Sequence, residues 1–394
     1  MKVKHLQHAL DTEGPQTGPG FQPHTLLLLG AGHAHVHVLS QLAREPLVGV
    51  QVVLVAPYPR QMYSGMVPGL VAGHYSVDEC AIPLAELVRR AGVRWVQASV
   101  TAFNAEARMA RLDNGMELPF DWASLNTGPV QDRDALEAAM PGARTHALFL
   151  RPIEGFAALW PRVLAMGSER ALRMAVIGAG AAGIEIALAL AHRLPHCAVT
   201  LLSGDAAPGA HYPAAVQARI ARTLKQRNIT VLQEHASGFL DGEVQLQSGA
   251  RLACDVPLIA TGAHAPRWLK ESALALDAQG FVQVNAFQQS TSHPHVFAVG
   301  DVSSRSDRAL ARSGVYAVRA GPALVRNLAA TARNTALQAH QPPAHTLNLL
   351  ACGDKTAIAS WGSWSAQGRW VWWWKNRIDR RFMARYTPPP PGGS

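Results

Sequence analysis

Only four cysteines occur in 394 residues, far apart at Cys80, Cys197, Cys254 and Cys352. With no CxxC and no close pair, an internal redox dithiol and a cysteine zinc site are excluded, and free thiols in a reducing compartment are expected. No uninterrupted run of about 18 apolar residues is present, so no transmembrane helix is expected. Residues 1–24 lack an apolar h-region, so no secretory signal is read there. Seventeen histidines are scattered without metal-ligand spacing. Even His33 and His35, two apart at a helix start, point in divergent directions, and no metal site is expected. Acidic charge is short: the formal net charge is +9 and the pI about 9.8. A basic balance suits nucleic acid, an anionic membrane or anionic cofactors. No nucleic-acid-binding module is visible, so that partner is not expected. The expected location is cytoplasmic, with contact at most on the inner face of a membrane.

What is present is a well-packed α/β composition, 48% hydrophobic and 16% charged, with 33 glycines and 26 prolines. The length asks for two or three domains. Residues 1–24 read as a flexible leader, and 388–394 (PPPPGGS) as a flexible tail. Between them apolar strand-length runs alternate with alanine-rich helical patterns, as in parallel sheets. Two strand–turn–helix units repeat about 148 residues apart, TLLLLGAGHAHVHVLSQLAR and RMAVIGAGAAGIEIALALAHR, each followed by a second apolar strand. The expectation is two Rossmann-like dinucleotide-binding domains and a small C-terminal α+β element. The first comprises 25–150 and 263–335, the second 151–262, and the C-terminal Trp-rich basic element 336–387.

The second glycine cluster carries the sharper chemistry. Gly178, Gly180 and Gly183 fit GxGxxG between a strand and a helix. The first permits the turn, the second admits a pyrophosphate to the backbone, the third allows close helix packing, and the helix N-terminus faces the phosphates. A bare tight turn is the bland alternative. Ser203 falls where an acid would hold the ribose of NAD, with Asp205 beyond and no Lys or Arg before His211, so NADH and NADPH both stay open. The first cluster keeps Gly30 and Gly32 but has His35 as its third member, and its second strand ends at Pro57 without a carboxylate. Support comes from VPLIATG, ending at Gly262, and from VFAVGD, ending at Gly300 and Asp301. A carboxylate there can accept from a sugar-alcohol hydroxyl such as the ribitol of FAD; a helix N-cap is the bland reading.

In this order the two clusters, Thr127-Gly128, the ATG turn and the terminal Gly-Asp resemble the pyridine nucleotide-disulfide oxidoreductase superfamily across roughly residues 25–330. YSGMVPG and GVYAVRAGPALVRNL look like type II NADH dehydrogenases and sulfide:quinone oxidoreductases. YSGMVPGLVAGHYS, GVYAVRAGP and GRWVWWWKNRIDRRFMARY look like the branch fused to, or encoded beside, selenophosphate synthetase. The resemblance implies FAD and NADH or NADPH as cofactors. FAD would meet Gly30, Gly32, His33, Ala34, Pro57, Val100, Thr127, Gly128, Gly300, Asp301 and Val315. The nicotinamide nucleotide would meet Gly178, Gly180, Ala181, Gly183, Ser203 and Gly262. Pro68 would lie beside the flavin, and Glu185 would face the nicotinamide and flavin as the catalytic pair. A helix starting near Gly314 would stabilise negative charge on reduced flavin. Cys352 is the one candidate for a sulfur relay, and Cys80, Cys197 and Cys254 are expected to pack as small hydrophobes.

Six of ten tryptophans fall within residues 361–374, and 361–386 holds six Lys/Arg against one Asp. Val371, Trp374, Ile378, Phe382 and Tyr386 share a helix face, with Lys375 and Arg385 snorkelling at its edges. Such a helix suits an anionic membrane face, or packs on the first domain or in a homodimer. The leading expectation is an oxidoreductase that moves hydride from NAD(P)H to flavin and two electrons to a quinone-like acceptor. The alternatives are a flavin enzyme for a sulfur or selenium species and a non-catalytic nucleotide-binding regulator. A functional link to selenophosphate synthetase is a further expected partner.

Overall fold

The computed structural model describes residues 23–387 except 311 and 313. The leader (apart from 23–24) and the PPPPGGS tail expected from the sequence lie outside the described residues. The chain runs through β1 (His24–Leu29), α1 (His33–Leu42), β2 (Val50–Val55), α2 (Val67–Val71), β3 (Arg94–Val96) and β4 (Trp122–Leu125). It continues with β5 (Leu148–Phe149), β6 (Arg173–Ile177), α3 (Ala181–Arg193), β7 (Ala198–Leu202), α4 (Ala214–Gln226), β8 (Thr230–Leu232) and β9 (Val256–Ile259). Then come β10 (Val296–Ala298), α5 (Gly314–Ala332), β11 (Asn348–Ala351), β12 (Ala357–Trp361), β13 (Trp364–Gly368) and α6 (Arg369–Met383).

Two five-stranded parallel sheets form the body, ordered β10-β4-β1-β2-β3 and β5-β9-β6-β7-β8. Strand by strand the orders correspond, and each unit inserts a three-stranded antiparallel meander between its third strand and its fourth, which leads into a Thr-Gly turn. The reason is apolar continuity. Leu26 to Leu29 are each no more than 1% exposed, as parallel strands buried on both faces require. The two units differ in where the edge strand comes from. In the first it is β10, after the second unit; in the second it is β5, before it. Leu148 and Phe149 pair with Leu258 and Ile259, so the second sheet begins inside the stretch the sequence assigned to the first domain (25–150). A two-residue strand carries too little pattern to mark that crossing.

The third body is the antiparallel sheet β11-β12-β13 with α6 across it. Among the described residues no helix is long and apolar enough to cross a membrane.

Candidate active site

Gly30 turns the chain from β1 to α1 at φ 85°, and an added Cβ would meet Asn126 and Thr127 backbone at 2.6–2.8 Å. This turn opens into a cavity of about 450 Å3. Of the residues named from sequence, Gly30, Gly32, His33, Pro57, Val100, Thr127, Gly128 and Asp301 line it. Ala34 does not: it is fully buried, its N–H donating to Asn126 Oδ1 at 3.1 Å. Gly300 packs beneath, within 2.8 Å of Asn126 Nδ2 for any added Cβ. Nor does Val315 face the cavity; α5 presents Gly314 and Ala317 instead, three residues apart on one helical face.

Sequence reasoning missed the cavity's charge. Arg60, Arg133 and Arg151 line it beside Glu154 and Asp301. Arg60 lies 3.6 Å from Asp78 and Arg133 stacks on Phe149, whereas Arg151 has no ion-pair partner among the described residues. Three guanidiniums spread over the wall fit a bound pyrophosphate. Among the described residues His33 Nε2 is buried without a partner, and a Cβ at Gly128 would meet nothing within 4 Å. An orphaned ring nitrogen and an open backbone face both suit a nucleotide cofactor that fills the cleft. Burial, aided by Arg151, holds the His33 imidazole down to about 4, so it is neutral at pH 7. Burial raises the Asp301 carboxyl, opposed by Arg151 and Arg312.

His35, read from sequence as a defect, is a fastener. Its Nδ1 donates to Gly30 O at 2.6 Å, and its Nε2 accepts from Ser124 Oγ at 2.8 Å. That tautomer follows from the neutral ring, whose pKa burial lowers to about 4. Asn126, also missed, accepts from the Ala34 and His35 N–H groups (3.1 Å each) and donates to Val299 O at 2.8 Å. The Ala34 and His35 N–H groups at the start of α1 are therefore engaged by a side chain, and Arg60, Arg133 and Arg151 carry the positive charge of the cavity wall.

At the second cluster the backbone works alone. Gly178 has φ 107°, a Cβ at Gly180 would meet nothing within 4 Å, and one at Gly183 would lie 1.8 Å from Gly178 O. Among the described residues no side chain caps α3, whose N-terminal Gly180, Ala181 and Ala182 stay accessible. Ser203 is part-buried, its N–H donating to Leu232 O at 2.9 Å, and Asp205 meets His235 at 3.1 Å. Gly262, at φ 73°, rests on Leu136.

Glu185 and Pro68 are brought not to the large cavity but to the C-terminal element. Glu185 accepts from the Ala351 N–H at 2.7 Å, and burial pushes its carboxyl up to about 7 against the pull of Lys375. Pro68 shares a crevice with Tyr75, Ala351 and Lys375. Lys375, expected to snorkel, is 9% exposed: its Nζ donates to Gly65 O at 2.6 Å and Asp379 Oδ2 at 2.7 Å. Tyr63 donates to Asp379 Oδ1 at 3.1 Å and stacks on Phe382 at 4.5 Å, while His33 stacks on Phe382 and lies tilted against Tyr63. So α6 turns an inner face of Val371, Lys375, Asp379 and Phe382 to the protein, Tyr386 is buried in the turn just beyond it, and Ile378 points outward. The single apolar face read from sequence is thus divided. Cys80 and Cys352 are pushed by burial up to about 12 and Cys254 to about 11, so none offers a thiolate at neutral pH. Among the described residues no group of three His, Cys, Asp or Glu gathers to hold a metal.

The sequence profile described as pyridine nucleotide-disulphide oxidoreductase matches residues 24–332, both glycine turns and the Gly-Asp included. The chain belongs to that family. An NADH dehydrogenase-like protein of Mycobacterium tuberculosis is 28% identical over 248 residues, covering 59% of this chain and 61% of that protein. The chain therefore spans less than two thirds of that relative's length. A demethylphylloquinone reductase of Synechocystis is 25% identical over 296 residues, 72% of each. Among solved structures, the sulfide:quinone oxidoreductase of Aquifex aeolicus superposes with TM-score 0.75 at 14% identity, covering 93% of both chains. NDH2 of Plasmodium falciparum with NADH does so at 0.75 and 12%, covering 92% of this chain and 97% of that one. The structural likenesses show the FAD/NAD(P)-binding α/β fold, and FAD and a pyridine nucleotide are the cofactors of the family.

Proposed function

We propose that the chain is an FAD-dependent NAD(P)H oxidoreductase that passes two electrons to a quinone-like acceptor. The observation that carries this reading is the pairing of two equivalent glycine turns, one opening on an arginine-lined cavity, the other on an uncapped helix N-terminus. FAD supplies the chemistry, taking hydride from the nicotinamide and giving up an electron pair. Arg151 and its two neighbours hold the FAD pyrophosphate, Asp301 accepts from its ribitol, and α5 directs its N-terminal turn at the cavity. The turn through Gly178, Gly180, Ala181 and Gly183 holds the nicotinamide nucleotide, with Ser203 and Gly262 at its edges. Glu185 exchanges a proton near neutral pH beside Lys375, where Pro68 shapes the crevice.

The outer side of the C-terminal element exposes Trp361, Trp364, Trp370, Trp373 and Ile378 (41–58%), interleaved with Arg369, Arg377 and Arg381. It is proposed as a peripheral contact with an anionic membrane, where such an acceptor resides; a homodimer is the other partner for that face. A second reading, a sulfur or selenium species as substrate together with a functional link to selenophosphate synthetase, is favoured by YSGMVPGLVAGHYS and GRWVWWWKNRIDRRFMARY. The raised thiols leave it without a cysteine relay. Anaerobic mixing tests both. NADH or NADPH should bleach the flavin band and a soluble quinone should restore it. Bleaching by sulfide or selenide alone would move the assignment to the second reading, and a protein that cannot be loaded with FAD would end both.

A further inference from the structure

Asp301 belongs to the walls of two cavities. One is the large cleft; the other, behind it, measures about 60 Å3. Gln288 lines the smaller one, 2% exposed and at φ 70°, a conformation that side chains rarely adopt without a compensating hold. That hold is visible. Its carbonyl accepts from the Ala298 N–H at 3.0 Å, and its Nε2 donates to Ala320 O at 3.1 Å. Gln288 thus ties β10, which delivers Asp301, to α5, which delivers Gly314 and Ala317.

The Ala320 bond fixes which way the amide faces, leaving Oε1 buried with no partner among the described residues. A buried acceptor in that position requires a donor. The arginines of the wall are otherwise engaged. Arg305 pairs with Asp307 at 2.8 Å and donates to His340 O at 3.0 Å; Arg312 pairs with Asp277 at 3.0 Å and Gln279 at 2.6 Å. Their charges are matched, so the wall does not select an anion. The volume is several times the roughly 10–15 Å3 that one water needs.

We propose that this cavity is a site for ordered water, which donates to Gln288 Oε1 and solvates the Asp301 carboxylate from the side away from FAD. Gln288 is thereby a positioning residue for the cofactor site; the functional part rests on the FAD assignment made above. The charged and titratable groups facing Asp301 are Arg151 and Arg312, with Arg305, Tyr316 and His340 around the water cavity. Burial already raises the Asp301 carboxyl. Removing water on its second side raises it further, because the charged form loses solvation.

Two measurements test this. A high-resolution crystal structure of the unliganded protein should show water within hydrogen-bond distance of Gln288 Oε1; a dry cavity overturns the proposal whatever FAD does. Separately, FAD affinity is followed against pH for the wild type and Gln288→Met, which keeps volume but removes both amide partners. The variant should move the acidic limb of binding up by about one pH unit while staying within about threefold of wild type at alkaline pH. Equal loss at all pH values would make Gln288 merely structural and overturn the positioning role. Gln288→Glu, which restores an acceptor, should bring water back to the site in its own crystal structure. Failure of the wild type to bind FAD would remove the FAD assignment, and the crystallographic water would still decide the site.

Discussion

At Gly183 an added Cβ would lie 1.8 Å from the carbonyl oxygen of Gly178. At the equivalent place in the first unit, 148 positions earlier, stands the whole imidazole of His35, bonded to the carbonyl of Gly30. The exchange is not isolated. Where the second unit has Leu258 and Ala260, the first has Ser124 and Asn126, and those two hold His35 and the start of α1. The register confirms the correspondence: Leu28 pairs with Ser124 and Val176 with Leu258. One unit closes its turn with bare backbone and leaves the helix end open. The other closes it with a buried polar network and lines the cavity in front of it with arginines. A missing glycine is therefore weak grounds for discarding a nucleotide site, provided the partner positions have changed with it.

The comparison breaks most visibly if the third positions are exchanged. Gly183→His should prevent soluble folding, since the ring has no room and no partners; recovery of wild-type thermal stability would show that the turns are interchangeable. Restoring the fingerprint in the first unit, His35→Gly, should destabilise by about 2–4 kcal/mol. It removes two buried hydrogen bonds and leaves a void. Denaturant unfolding reads this, and a stabilised variant would contradict the network. The smallest effect concerns Glu185, whose carboxyl is raised to about 7 by burial. Its folded state holds a proton more tightly than the unfolded chain, so stability should fall as pH rises from about 4.5 to 7 and then level off. Glu185→Gln should flatten that slope, gaining on the order of 1–3 kcal/mol over wild type at pH 8. A parallel shift across all pH values would remove Glu185 as its source.

Much of the fold was legible because parallel strands announce themselves as apolar runs, and the repeat of GAG turns carried the two-unit reading. The geometry of the second turn was legible, because the positive φ at Gly178 and the close packing at Gly183 are what glycine encodes. The first was not, because Ser124 and Asn126 look like ordinary strand-end polar residues until they are placed beside His35. Arg151 was invisible for a similar reason: nothing in LFLRPIEG tells that its side chain enters a cleft bounded by segments over a hundred residues away. In the tail, helical periodicity placed Val371, Phe382 and Tyr386 on one face. It could not reveal that Lys375 and Asp379 pair inside, since the partners Gly65 and Tyr63 lie about 310 residues earlier.

The most direct test of two separately built sites is calorimetric titration of the unliganded protein with FAD, then NADH or NADPH, in wild type and Gly180→Val. A Cβ at Gly180 meets no atom of the described residues within 4 Å, so the fold should tolerate the substitution while the side chain occupies the proposed phosphate cradle. Two 1:1 events are expected in the wild type, with selective loss of the nicotinamide event, at least tenfold, in the variant. Loss of FAD binding alongside it, or unchanged binding of both, would contradict two separately built sites.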